Sequence, residues 1–184
     1  RDLRIEDRAL DDTALKPAEI WVETEISALK IGTDRGNYEG AEQVPGAPGY
    51  PRGVGDSNLG IVRGIGSAVN RFRVDDRVVS RQMHQSAYVT DQTDSIVQVP
   101  AGIHPEDAVF SHLYALSALC YLKALFQPGE NVAVVGLGVL GLGAVALGPL
   151  FGARVVGLGY GVRSNVELTR LAGCEHTFSA SRGG

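Results

Sequence analysis

The stretch Val132-Ala133-Val134-Val135-Gly136-Leu137-Gly138-Val139-Leu140-Gly141 carries a G-x-G-x-x-G directly after a run of β-branched residues. That spacing suits a pyrophosphate. The first glycine makes a tight turn out of a strand, the second lets the backbone approach the anion, and the third lets the following helix pack closely on the strand. Backbone amides at the helix N-terminus then face the negative charge. Gly136, Leu137, Gly138, Val139, Leu140 and Gly141 are therefore the first candidate cofactor-binding residues.

The next strand decides which dinucleotide is favoured. A domain of this kind that selects NAD(H) places Asp or Glu about 20 residues after the glycine motif, where it binds the ribose 2′-hydroxyl. Here the chain runs Arg154-Val155-Val156-Gly157-Leu158 into Gly159, Tyr160, Gly161, Val162, Arg163 and Ser164, with no carboxylate before Glu167. Nothing repels a 2′-phosphate, and Arg163 with the Ser164 hydroxyl could bind it by charge-assisted hydrogen bonds. The expected cofactor is NADP(H) in preference to NAD(H), held also by Gly159 and Tyr160.

These motifs need elements to carry them. Residues 1–104 read as a β-rich domain, with candidate strands at 19–26, 61–65, 77–79, 87–90 and 95–99 separated by Gly, Asp and Asn turns, as in a partly closed barrel. The pattern changes at Pro100. Pro105-Glu106-Asp107 opens a helical segment whose carboxylates suit the positive end of the dipole, and apolar residues continue to Phe126. Strand (Asn131–Val135), glycine turn, helix (140–151), strand (Arg154–Leu158) and helix (165–172) follow, which is the start of a parallel α/β sheet over 105–184. Ser164 and Glu167 form a capping box for the last helix, and Pro149 is expected to kink or end the helix that contains it.

Composition narrows the class further. With 44% apolar and 21% charged residues the chain of 184 can bury a core. Seventeen basic against 21 acidic residues give a net charge of −4, which argues against nucleic acid or an anionic membrane as partner. The 22 uncharged residues from Val132 to Ala153 are long enough to span a bilayer, but six of them are glycine, and Pro149 interrupts the rest. A buried strand and glycine turn explain them better. Cys120 and Cys174 cannot make a disulfide framework or a four-thiolate zinc lobe, so a reducing, cytoplasmic location is expected.

The order of features resembles the medium-chain dehydrogenase/reductase superfamily, in which a GroES-like β-rich catalytic domain precedes a Rossmann domain. The resemblance lies in Trp21–Gly32, Gly53–Gly66, Phe72–Val78, Val99–Ala108 and Gln127–Gly136. The zinc-dependent branch of that family binds its metal through Cys, His-Glu and a further Cys, Asp or Glu. Here the corresponding places read Lys30-Ile31-Gly32-Thr33-Asp34, Gly55-Asp56-Ser57-Asn58 and His112-Leu113-Tyr114. No three-ligand site results, so no metal is expected. Ser27–Asp34 and Met83–Tyr88 are similar to a zinc-free branch that includes bacteriochlorophyllide-type alcohol dehydrogenases.

Without zinc, a hydroxyl or imidazole must stabilise the substrate oxygen. The candidates are His84, Tyr88 and Thr33, which the resemblance places in the half facing the cofactor. It also matches Ser117 to a hydroxyl residue that contacts nicotinamide. The resemblance thus implies a zinc-independent NADP(H) oxidoreductase acting on an alcohol/ketone pair or an enone, with a small-molecule substrate and a homodimer as the assembly of the full-length protein. The alternative is a non-catalytic nucleotide-binding or interaction protein on the same fold. A complete dinucleotide domain takes something like 150 residues, and only 54 run from Asn131 to Gly184. The chain is therefore expected to hold the first part of its Rossmann domain and to be a piece of a longer enzyme, inactive by itself.

Overall fold

The computed structural model describes residues 3–11, 14–40, 49–160, 167, 169–170, 174 and 176–180. The chain divides into two compact units, Arg1–His112 and Leu113–Gly184, so the short helix that follows the last barrel strand groups with the β-rich unit.

The first unit is a five-stranded antiparallel sheet. It is built from β1 (Glu19–Ser27), β2 (Asn58–Ile65), β3 (Arg77–Ser80), β4 (Ala87–Asp91) and β5 (Ile96–Gln98), in the spatial order β4-β1-β2-β3-β5. Alternation along β1 sends Ile20 and Val22 inward. They meet Val62, Phe72, Val78, Tyr88 and Ile96 in one buried cluster, while the carboxylates of Glu23 and Glu25 stay outside. Those outward carboxylates pair with Arg63 on the adjacent β2 and with Arg77 on β3, across β2. Two register shifts in the β1–β2 ladder, at Trp21/Val22 and Thr24/Ile26, bend the sheet. A second cluster of Ala28, Leu59, Val79, Ala108 and Val109 lies where β1 ends and β2 begins.

Between β1 and β2 the chain forms α1 (Ile31–Glu39), a helix with no signal in the sequence. Gly32, Thr33, Gly36 and Asn37 are poor helix formers, and none of its residues is buried, so there is no apolar stripe to read. Its ends hold it. The Asp34 side chain accepts the backbone N–H of Lys30 at 2.8 Å, and Gly40 closes the C-terminus in the left-handed conformation.

The second unit is a three-stranded parallel sheet of β6 (Asn131–Val135), β7 (Arg154–Tyr160) and β8 (His176–Ala180), in that order. The helical segment expected to open at Pro105 and run to Phe126 is broken into α2 (Pro105–Ala108) and α3 (Ser111–Lys123). After β6 comes α4 (Val139–Leu147), which stops before Pro149. The proline opens a 3₁₀ turn (Pro149–Phe151), and Gly152 at φ 81° turns the chain into β7. Tyr121 of α3 and Ala144 and Val145 of α4 pack with Leu137, Ala153, Val155 and Cys174 on one face of this sheet. Among the described residues no helix is long and apolar enough to cross a membrane. The architecture is a GroES-like β-rich unit followed by the first part of a Rossmann sheet.

Candidate functional site

In the second unit the glycine turn has the form that an anion cradle needs. Gly136 leaves β6 at φ +91°, and its N–H donates to Leu158 O of β7 at 2.9 Å. Gly136 and Gly138 are exposed, Leu137 turns inward to the core, and nothing lies within 4 Å of where a Cβ on Gly138 would stand. Val139 and Leu140 begin α4, so their amides belong to its open N-terminus, and no side chain caps that end. Gly141 has no such freedom: a Cβ there would sit 1.9 Å from Gly136 O. That contact draws the helix against the strand's end.

Ser117 is buried beneath the turn. Its Oγ lies 3.0 Å from Leu113 O and 2.9 Å from Leu140 O, so the hydroxyl proton is shared between two carbonyls, one of them in the glycine motif. Gly159 is buried on β7, and Tyr160 ends that strand. Arg163 and Ser164, and with them the capping box and most of the helix expected after it, lie outside the described residues.

In the first unit, polar side chains converge at the end of the β1–β2 ladder. The register closes with Ser27 opposite Asn58, and Ala28 N–H donates to Ser57 O at 2.9 Å. Residues just after β1 and just before β2 are therefore neighbours. Lys30 forms an ion pair with Asp56, and His112 Nε2 stands 3.8 Å from the same Asp56 Oδ2. His112 is brought there because Ala108 and Val109 pack on Leu59 and Val79, and Ser57 Oγ donates to Val109 O. Burial, followed by the charge of Arg81, holds the His112 imidazolium below its ordinary range, only partly offset by Asp56; the Lys30 charge adds to the lowering. The ring is neutral at neutral pH.

His84 joins the same cluster. Its backbone N–H donates to Val54 O at 2.8 Å, its Nδ1 is 2.9 Å from Ser27 Oγ, and its Nε2 is 3.8 Å from Asp34 Oδ2. Gly55, at φ +100°, makes this possible, since a Cβ there would lie 2.7 Å from the imidazole ring. Fully buried Asn58 ties the strands beneath it, accepting from Thr24 Oγ1 at 3.1 Å and donating to Met83 O at 3.1 Å.

The three residues expected to stabilise a substrate oxygen thus stand in different surroundings. His84 lies in the polar cluster. Thr33 is exposed on α1. Tyr88 is 3% exposed inside the barrel core, its hydroxyl 2.8 Å from Ser80 Oγ, and burial pushes its ionisation up to about 12. Lys30, Asp56 and His112 were read from the sequence only as places lacking metal ligands. Their convergence depends on strand register and on packing of the α2 region, neither of which has a local signal.

A dication fits this cluster poorly. Asp56 already carries the Lys30 ammonium, which would repel a metal brought to the same carboxylate. Among the described residues no group of three or more His, Cys, Asp or Glu is placed to hold a metal.

A β-rich unit whose strands end in a polar cluster, followed by a strand–glycine turn–helix of dinucleotide type, defines a two-domain dehydrogenase/reductase architecture. No family model matches the chain. Quinone oxidoreductase 1 of Escherichia coli is 29% identical over 156 residues, 82% of this chain and 47% of that protein. A solved structure of E. coli quinone oxidoreductase complexed with NADPH superposes with a TM-score of 0.70 at 26% identity, covering 92% of this chain and 53% of that one. Galactitol-1-phosphate dehydrogenase of E. coli shares the fold, with a TM-score of 0.78 over 94% of this chain and 57% of that one at 19% identity. The chain belongs to the medium-chain dehydrogenase/reductase superfamily. It spans about half the length of the curated relatives it matches.

Proposed function

We propose that the protein is a zinc-independent, NADP(H)-dependent oxidoreductase acting on an alcohol/ketone pair, an enone or a quinone. The observation that carries this reading is the Gly136–Gly141 turn, in which Gly141 presses on Gly136 O while Gly136 and Gly138 leave the anion side open. Those residues would hold the pyrophosphate, and the bound cofactor supplies hydride chemistry. The preference for the 2′-phosphate is supported by β7, which carries no carboxylate, and by the NADPH named with the E. coli quinone oxidoreductase. Zinc independence is supported by the ion pair of Lys30 with Asp56.

Ser117 keeps the turn in place by bonding Leu140 O, so its role toward the nicotinamide is positional. His84 is the imidazole we assign to the substrate side, oriented by Ser27, whereas the Tyr88 hydroxyl is committed to Ser80. The chain has only two cysteines, Cys120 and Cys174, and the Cys174 thiol donates to Val155 O at 3.1 Å, in keeping with a cytoplasmic location.

Fluorescence titration tests the cofactor assignment. NADPH should bind at least about ten times more tightly than NADH, a difference of about 1.4 kcal/mol, and Arg163→Ala should narrow the gap. Equal affinities for the two cofactors would end the phosphate assignment.

A further inference from the structure

We propose that the Lys30 ammonium, fixed by Asp56, is the electropositive pole that receives the substrate oxygen, taking by hydrogen bonding the part that a metal ion would take by coordination. The inference rests on the oxidoreductase reading above, and it adds a group that neither the glycine motif nor the relatives' names supply.

Lys30 lies three residues beyond the end of β1 and is the N-cap of α1, so its backbone is tied at both sides: its N–H donates to Asp34 Oδ2, and its C=O accepts from Asp34 N–H at 2.9 Å. Its side chain is 15% exposed and lies against Asp56, itself a quarter exposed. The pole is held in place yet open to a small molecule. An ammonium has three donors. One goes to Asp56, and among the described residues the other two have no acceptor.

Lys30 and Asp56 form a net-neutral pair, so what the pole offers is the two ammonium N–H donors that Asp56 leaves unused. His112 is neutral, and its Nε2 is buried without a hydrogen-bond partner; His84 Nε2 is likewise buried and unpartnered, on the side of Asp34. His112 Nε2 shares the Asp56 carboxylate with the partly open ammonium, and His84 Nε2 lies by Asp34, which holds the Lys30 backbone; two buried imidazole nitrogens with unused hydrogen-bonding capacity are costly to keep unless something fills them. A carbonyl oxygen gaining negative charge, an enolate or a phenolate meets this requirement: it accepts from Lys30 Nζ and from a neighbouring imidazole N–H, with no proton leaving the lysine. Asp56 is a positioning residue, since it touches the lysine and not the substrate.

The probe is 4-nitrophenolate, whose absorbance near 400 nm reports its ionised fraction. The chain has three lysines, Lys16, Lys30 and Lys123, so [13Cε]-lysine labelling gives three signals, assigned through Lys16→Arg and Lys123→Arg. Titration should move the Lys30 signal alone. Lys30→Met should bind the phenolate at least about tenfold more weakly and Lys30→Arg within about threefold of the parent chain. A Lys30 signal that stays fixed while the probe binds overturns the inference, whether or not Lys30→Met folds. So does a natively folded Lys30→Met that binds the phenolate as well as the parent. NADPH binding measured on the same samples separates the two claims. If NADPH binds but Lys30 does not respond, only the lysine assignment fails; if Lys30 responds but NADPH does not bind, only the nucleotide reading fails.

Discussion

The two units carry their chemistry in opposite ways. In the β-rich unit the candidate groups are side chains, drawn from the ends of β1 and β2, the β3–β4 connection and the region after β5, and they rest on the buried clusters that alternation along the strands builds. In the α/β unit the candidate cradle is backbone, contributed by six contiguous residues, and among the described residues the packed helices α3 and α4 lie on one face of the sheet behind it. On the opposite face, among the described residues, Val135 is 80% exposed and Phe178 58%. A backbone site is sensitive to any added atom at its glycines. A side-chain site is sensitive to the burial and pairing of individual groups.

That contrast is sharpest at Gly141. Replacing it by valine puts a branched side chain where even a Cβ would lie 1.9 Å from Gly136 O. Backbone cannot swing aside as a side chain does, so the helix must move off the strand. The expected cost is about 3 kcal/mol, the upper end of overpacking effects, together with loss of nucleotide binding. Amide hydrogen exchange should show it in β6, β7 and α4 while β1 and β2 keep their protection. Unchanged protection in β6 would mean that the turn is not clamped by this contact.

The same contrast explains what could be read from the sequence. The glycine motif is contiguous and sits between a valine-rich strand and a helix, so both its form and its position were legible. The strands of the barrel were legible from alternation, down to the inward Ile20 and Val22. Lys30, Asp56 and His112 were not, because their meeting depends on the Ser27–Asn58 register and on Val109 docking over Leu59. Tyr88 shows the converse. A tyrosine beside a histidine reads as chemistry, but its place in β4 points it into the core with Ser80. Helix α1 escaped because its Gly32, Gly36 and Asn37 lack propensity and its stability comes from the Asp34 and Gly40 ends.

Tyr88 also gives the β-rich unit an alkaline signature. Its hydroxyl ionises at about 12 in the folded chain, chiefly through burial, against about 10 when unfolded. The unfolded state therefore loses its proton first. Stability from this group is complete below pH 10 and falls as pH rises toward 12, by up to about 2–3 kcal/mol. Denaturant titrations at pH 9 and 11.5, followed by signals of the β-rich unit, should show the fall. Tyr88→Phe should flatten it, and a slope that persists in that variant would assign it to other groups.

The smallest effect is expected at Tyr121, the α/β unit's own buried tyrosine. Its hydroxyl donates to Ala144 O at 2.7 Å, and its ring makes edge contacts with Phe126 and Phe151, both at 5.2 Å between centroids. Tyr121→Phe keeps the ring contacts and deletes one hydrogen bond. The Ala144 carbonyl keeps its second donor, the N–H of Gly148 at 3.0 Å, so no buried acceptor is left empty. The loss should be about 1 kcal/mol, seen as a lower urea midpoint with an unchanged m value. A loss of about 3 kcal/mol would show that the hydroxyl, and not helix–helix packing, sets where α4 ends ahead of Pro149. The backbone cradle would then depend on a single side chain, as the lysine site does.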